Sequence, residues 1–207
     1  MALTGIQKRT RLSPQARADQ ILDQAADLIQ REGLSAVTME RLAKDAGISK
    51  GLVYNYFPSR DALLAALLQK EQAQLRDRGM AEALRVDSFE ALIAGTTRLY
   101  LAQTYERGAV ILPLLADPSV SRLLHDTLRA ERDRTIRYFV RAVRRQYGLD
   151  LVTAITAVDT LMTLTGAMGR LVASGSVTVE DGTQMCVQLL TGGMEKLARS
   201  MQASSPQ

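Results

Sequence analysis

From Lys50 to Phe57 the chain reads Lys-Gly-Leu-Val-Tyr-Asn-Tyr-Phe, residue types suited to gripping a polyanion rather than to breaking bonds. A lysine ammonium can donate to guanine O6 and N7 or to phosphate. Gly51 has no side chain, so its backbone can come against a base edge or a phosphate, at a cost of roughly 1 kcal/mol in helix propensity. Three of the chain's nine aromatics, Tyr54, Tyr56 and Phe57, fall here. If the segment is helical, Val53 and Phe57 (i, i+4) share the inward face and Leu52 and Tyr56 form the neighbouring stripe. Tyr54 and Asn55 then project outward, with a hydroxyl and an amide able to bond phosphate or a base edge. The competing reading, tyrosines that merely ring a small core, accounts for neither Lys50 nor Gly51.

Composition excludes much else. The 207 residues include one Cys and one His and no Trp. Cys186 therefore has no internal disulfide partner, and zinc sites built from several Cys and His ligands are excluded. Nucleophilic catalysis would depend on one histidine. No carboxylate pair or cofactor motif stands out, so an enzyme is the least favoured class and no cofactor is expected. The sequence pI is about 9.4, yet the formal net charge is only +4, and residues 1–75 hold ten basic against eight acidic side chains. Bulk charge is thus not the signal; positive charge gathers from Lys8 to Arg17 (four basic residues, no acid) and at Lys50 and Arg60. No apolar segment follows the N-terminal cations, and the apolar run Ala109–Ala116 is short and holds Pro113, far below the roughly 20 residues that span a bilayer. A soluble, cytoplasmic protein with no membrane partner is expected.

The elements that must position these residues read as helices throughout. Pro14, Pro58, Pro118 and Pro206 fall where a helix would begin or the chain would end; only Pro113 is ambiguous. Ser13 and Pro14 should start a first helix that turns Ile21, Leu22, Ala25, Ala26 and Ile29 inward and stops at Gly33. Thr38 caps a short helix through Ala46 with Leu42, Ala43 and Ala46 inward; Gly47 supplies the stop, and Ser49 caps Lys50 to Phe57. After Pro58, Ser59 opens a longer connector carrying Leu63, Leu64, Leu67, Leu68 and Leu75, with Gly79 near its end. Asp87 and Glu90 form a capping box for a helix to about Glu106. Gly108 to Ala116 makes a separate apolar piece, and Asp117-Pro118 starts a helix ending at Gly148. Asp150–Ala173 and Val179–Met201 are the last two helices.

Two short helices joined by Ala46-Gly47-Ile48-Ser49 are the arrangement of a helix-turn-helix, whose second helix enters the DNA major groove while the first braces it. The block Thr38-Met-Glu-Arg-Leu-Ala-Lys-Asp-Ala-Gly-Ile-Ser-Lys-Gly-Leu-Val-Tyr-Asn-Tyr-Phe57 resembles the DNA-binding motif of the tetracycline-repressor (TetR) family of bacterial regulators, and the resemblance covers roughly residues 13 to 75. It implies an all-helical homodimer with three N-terminal DNA-binding helices, a fourth linking helix, and a variable helical domain holding an effector that releases DNA. Carried over by position, it places phosphate contacts on Thr38, Asn55, Tyr56 and Arg60, and base or close-backbone contacts on Lys50, Gly51 and Tyr54. Leu52 departs from the polar residues of some members and suits a thymine methyl. The arm Lys8, Arg9, Arg11 resembles extensions that touch backbone or minor groove; a solvated tail is the alternative.

Beyond about residue 80 the residues speak more weakly. Thr163, Gly166, Ala167 and Arg170 in one helix and Gly192 and Gly193 in the next are expected at a dimer interface, since small residues let helices approach closely; the glycines could instead mark a weakened helix end. Asp159 could pair with Arg170 of a second subunit, face solvent or, less favoured, contact an effector. The arginine-rich run from Arg129 to Arg145 is better read as a solvated face than as a second nucleic-acid patch, and His125 as a surface residue. Tyr100, Tyr105, Leu112 and Met162 could line a pocket or a core.

The expected protein is therefore all-α, with a helix-turn-helix domain at 13–75 (the motif about 38–57) and an effector-binding and dimerisation domain at 80–201. It reads as a sequence-specific, dimeric repressor, released from a palindromic double-stranded operator by a small, largely apolar effector. The alternative is a constitutive DNA-binding dimer with no small-molecule effector.

Overall fold

The structure is a computed structural model that describes residues 13–83, 85–86 and 88–204. The described residues form eight α-helices and no strand. The first is α1 (Pro14–Glu32), capped by the Ser13 hydroxyl and ended at Gly33, whose φ of 84° suits glycine. After a 3-10 turn at Leu34–Ala36 come α2 (Met39–Asp45) and α3 (Lys50–Tyr56). Then follow α4 (Arg60–Ala83), α5 (Phe89–Ala116), α6 (Pro118–Tyr147), α7 (Leu151–Ala173) and α8 (Val179–Ser204).

The core explains the phases read from the sequence. Ile21, Ala25, Leu42, Val53, Leu63, Leu64, Leu67 and Leu68 are fully sequestered, so α1 to α4 close one small hydrophobic centre. That centre does not stop at the end of α4: Val110 and Leu114 of α5 and Val120 and Leu124 of α6 belong to it. A second cluster joins α6, α7 and α8 around Val140, Val143, Ala154, Val158 and Met194. The third sits between α5, α7 and α8 around Leu101, Val172 and Cys186.

Two expected boundaries are corrected. The sequence predicts a break near residue 107, but α5 runs unbroken to Ala116 with Pro113 inside it. Gly108 is buried because α7 passes close by; a Cβ there would lie 3.1 Å from that of Ala173. It therefore serves helix approach rather than termination. Val110 and Leu114, both at 0% exposure, hold the chain on either side of Pro113 in the core, which compensates for the lost N–H. The second correction is the cap: Ser88 Oγ accepts from the Ala91 N–H at 3.1 Å, while Asp87 lies outside the described residues. Gly79 stands near the end of α4, as expected.

Candidate nucleic-acid interface

The recognition element is positioned by caps and by a buried seam. Thr38 Oγ1 accepts from the Arg41 N–H at 3.1 Å and Ser49 Oγ from the Leu52 N–H at 3.2 Å, so each short helix begins on a side-chain oxygen. Gly47, at φ 63°, takes the left-handed step between them, and the Ile48 N–H closes the turn on the Ala43 carbonyl at 2.9 Å. Leu42 and Val53 are at 0% exposure and Phe57 is buried beside them. Fixing Val53 and Phe57 inward leaves Lys50, Gly51, Tyr54 and Asn55 on the opposite, exposed face of α3. Thr38 is exposed at the start of α2; Leu52 and Tyr56 are half-buried, Tyr56 packing on the core.

Two charged residues behave differently from a free cationic surface. Lys50 Nζ is hydrogen-bonded and ion-paired to Glu40 of α2 and lies 5.8 Å from the centroid of the Tyr54 ring. The Glu40 bond pushes the Lys50 pKa up, and the Lys50 bond pulls Glu40 down, so both are charged at neutral pH. Any phosphate or guanine reaching Lys50 must displace or share with Glu40, a residue the sequence reading passed over. Its position in the first turn of a helix gave no sign that it would face α3.

Arg60 is held inside the domain. Its Nε donates to the Val37 carbonyl at 2.8 Å and its Nη2 to the Leu34 carbonyl at 2.9 Å. These bonds brace the segment leading into α2 against the start of α4, which gives Arg60 a positioning role in addition to whatever its remaining donors reach. Arg41 is similarly tied, to Glu32 at 2.8 Å and Asp45 at 3.0 Å. Lys8, Arg9 and Arg11 lie outside the described residues.

In the other half of the chain a cavity of about 640 Å³ opens between α4, α5, α6, α7 and α8. Leu75, Tyr100, Phe139, Leu161 and Met162 are among its walls. Of the four pocket candidates Tyr100 and Met162 line it; Tyr105 is 64% exposed, and Leu112, half-buried, is not among its walls. Tyr100 can stand where it does because Gly169 has no side chain: a Cβ there would come within 2.9 Å of the ring. Asp159 pairs within its own chain, with Arg132 of α6. Arg170 instead reaches its own helix, 3.4 Å from the Gly166 carbonyl.

The small residues proposed for dimer contact are at the surface or near it. Thr163, Arg170, Gly192 and Gly193 are exposed, Gly166 and Ala167 half-buried. A Cβ added at Gly166, Gly192 or Gly193 would meet nothing within 4 Å. Around them α7 and α8 expose Val152, Ile155, Leu164, Leu171, Met185 and Leu189. By length and composition α7 is also the one helix, among the described residues, apolar enough to cross a membrane, a property the sequence reading missed by following unbroken apolar runs. Among the described residues no three His, Cys, Asp or Glu side chains gather as a metal site.

Comparison with known proteins agrees with this geometry. The sequence model of the family described as bacterial regulatory proteins, tetR family, matches residues 21–67, the span from the buried stripe of α1 into α4. A TetR-like transcriptional regulator from Rhodococcus sp. RHA1 superposes with a TM-score of 0.74 at 21% identity, covering 89% of this chain and 98% of that one. Residues 21–67 thus match the TetR-type DNA-binding domain, in a chain that has the fold of TetR-like regulators. The fatty acid degradation regulator FadR from Bacillus halodurans also superposes, with a TM-score of 0.70 at 16% identity over 87% of this chain and 96% of that one. Among curated relatives, the nucleoid occlusion factor SlmA of Haemophilus ducreyi is 38% identical over 69 residues, 33% of this chain and 34% of that one. The HTH-type transcriptional regulator BetI of Rhizobium meliloti is 37% identical over 65 residues, 31% of this chain and 32% of its own. The chain thus spans about a third of the length of the curated relatives it matches, and the family model's match lies within α1 to α4.

Proposed function

We propose that this chain is a cytoplasmic, non-enzymatic transcriptional repressor of the TetR family that binds a palindromic operator as a homodimer and leaves it when a small molecule fills the α4–α8 cavity. The observation that carries the reading is the face of α3: Lys50, Gly51, Tyr54 and Asn55 are exposed together on a helix whose other side is locked by Val53. Thr38 and Tyr56 flank that face and suit phosphate contacts, which set register, while Lys50 and Tyr54 suit base edges.

Two such helices must meet successive major grooves about 34–36 Å apart, so the dimer sets the spacing and anything that changes it lowers affinity. The connection available is α4. It lies in the buried centre of the helix-turn-helix through Leu63, Leu64, Leu67 and Leu68, and it lines the cavity through Gln72, Leu75 and Arg76. An effector acts only to the extent that it binds the non-matching conformation better.

The test is selection of bound duplexes from a random DNA pool with the whole protein. A palindromic consensus with half-sites one turn apart supports the reading; recovery of unrelated sequences with no enrichment rejects sequence-specific binding. The second reading, a constitutive DNA-binding dimer, draws support from the family model's match to residues 21–67, within α1 to α4. A small molecule that both weakens operator binding and raises the melting temperature would reject it.

A further inference from the structure

The cavity's walls and its mouth have different chemistry. Inside, the lining is aromatic and aliphatic, with Tyr100, Phe139, Leu161 and Met162 facing one space. Thr96, Thr135 and Thr165, which also line it, donate their hydroxyls to carbonyls of their own helices at 2.7, 3.1 and 3.0 Å, so they contribute little that would hold a polar ligand. Charge is confined to one side, where α4 meets α6, and there it is predominantly cationic: Arg76, Arg132 and Arg134 border the cavity with Glu131 the one acid among them.

Those charges are unevenly paired. Arg132 is taken by Asp159. Arg76 and Arg134 share Glu131, with Arg76 Nη1 at 3.2 Å from one carboxylate oxygen and Arg134 Nη1 at 3.5 Å from the other. Asp77, 3.9 Å from Arg76 Nε, is 79% exposed and directed to solvent. Two guanidiniums on one carboxylate leave donors unspent beside an apolar chamber, and a planar fork is the donor geometry that matches a carboxylate. A cationic head would meet three arginines, and a neutral one would leave that surplus unused.

Resting on the effector reading above, we propose that the ligand of this cavity is an amphipathic acid: an extended apolar body among Tyr100, Phe139, Leu161 and Met162, with one terminal carboxylate held by Arg76 and Arg134. The carboxylate would take the donors that Glu131 does not fill, which couples occupancy to the α4–α6 contact and so to the helix that enters the DNA-binding core.

The experiment compares three probes of equal chain length, decanoate, decanol and decyltrimethylammonium. Each is titrated below its micellar range by calorimetry into the whole protein and into its operator complex. The expected result is that decanoate binds at least tenfold more tightly than decanol, that the cation does not bind, and that decanoate releases DNA. Arg76→Gln should erase the preference for decanoate, Arg76→Lys should keep part of it, and Met162→Trp should block decanoate and decanol alike; circular dichroism checks that each variant folds. Equal binding of decanoate and decanol, with both releasing DNA, would overturn the acid assignment while leaving an effector-released regulator intact. Failure of every probe to bind would overturn the acid assignment; operator binding that no probe disturbs would also count against release through this cavity.

Discussion

Arg107 of α5 grips the carboxylate of Glu71 of α4 with two donors, Nε 3.2 Å from one oxygen and Nη2 in a short bond to the other. Glu71 is 3% exposed, and Gln103 donates to its backbone carbonyl at 2.9 Å. The pair thus ties the two helices one residue away from Gln72, where α4 turns to the cavity. A buried carboxylate stripped of its partner is costly, about 3–5 kcal/mol when burial is complete; partial exposure of Arg107 reduces that figure. Arg107→Met should therefore lower unfolding free energy by about 2–3 kcal/mol, and Glu71→Gln with Arg107→Met should recover part of it. Urea unfolding of the two single variants and the double variant measures the coupling; strict additivity would show that the ion pair does not hold α4 to α5.

Gly51 separates folding from recognition. Its backbone has ordinary helical geometry, it is exposed, and an added Cβ would touch nothing in the protein. Gly51→Ala should accordingly raise stability by about 0.5–1 kcal/mol through helix propensity, while operator affinity falls at least tenfold. Gly51→Val should abolish binding with helicity and dimerisation intact. Normal operator affinity in either variant, measured by fluorescence anisotropy, would remove the argument for close backbone approach.

Lys50 and Arg60 are both cations of the recognition half, and salt distinguishes their roles. Lys50→Ala removes an exposed cation on the α3 face, so affinity should fall; where the lost contact is to phosphate, the slope of log affinity against log salt should flatten by about one unit. Arg60→Ala removes the donors on Val37 and Leu34 carbonyls, and bonds from a charged donor contribute about 1.5–3 kcal/mol. Its expected effect is a loss of stability of about that size with the salt slope unchanged. A flattened slope for Arg60→Ala, with stability intact, would restore it to the phosphate contacts.

What the sequence made legible was whatever depends on local chemistry. The caps Ser13, Thr38 and Ser49, the turn at Gly47 and the inward phase of Val53 and Phe57 follow from hydrogen-bond capacity and the 3.6-residue period, and each stands in the structure. What escaped depends on partners distant in the chain. Gly108 resembles a helix stop until Ala173 is seen across from it, and Arg60 resembles a free cation until Val37 and Leu34 turn their carbonyls toward it. The cavity was legible only in part: Tyr100 and Met162 stood among the pocket candidates, but with Leu75 they have the spacing of core residues, and only the packing of five helices shows the space between them.

Acid should weaken the joint between α5 and α6. Asp117 caps α6, and the Ser119 hydroxyl at 2.6 Å, helped by the Ser119 and Val120 N–H groups, holds its pKa below the usual carboxylate value. A carboxylate whose folded pKa is depressed contributes stability above its unfolded pKa, about 3.9. That contribution is lost as pH falls from there through the folded value. Asp117→Ala should cost about 0.5–2 kcal/mol at pH 7, and the difference from the parent should shrink below about pH 4. Thermal unfolding at pH 7 and pH 3 tests this; a constant difference would mean that the charge of Asp117 is not what caps the helix.

The face of α7 and α8 offers a test of dimerisation that misfolding cannot imitate. Gly193 lies inside α8, exposed, with no atom within 4 Å of where a Cβ would stand. Within one protomer a Cβ there is unobstructed, and replacing a helical glycine adds up to about 1 kcal/mol of helix propensity. A loss of self-association in Gly193→Leu with helical content unchanged would therefore point to a second copy that needs the space, as small residues at helix contacts imply. The neighbouring Leu189 and Met185, about half exposed, would be covered by the same partner. Sedimentation equilibrium should find Gly193→Leu monomeric or at least tenfold weaker in self-association, with helical content unchanged and operator binding lost. An intact dimer would move the interface away from Gly193.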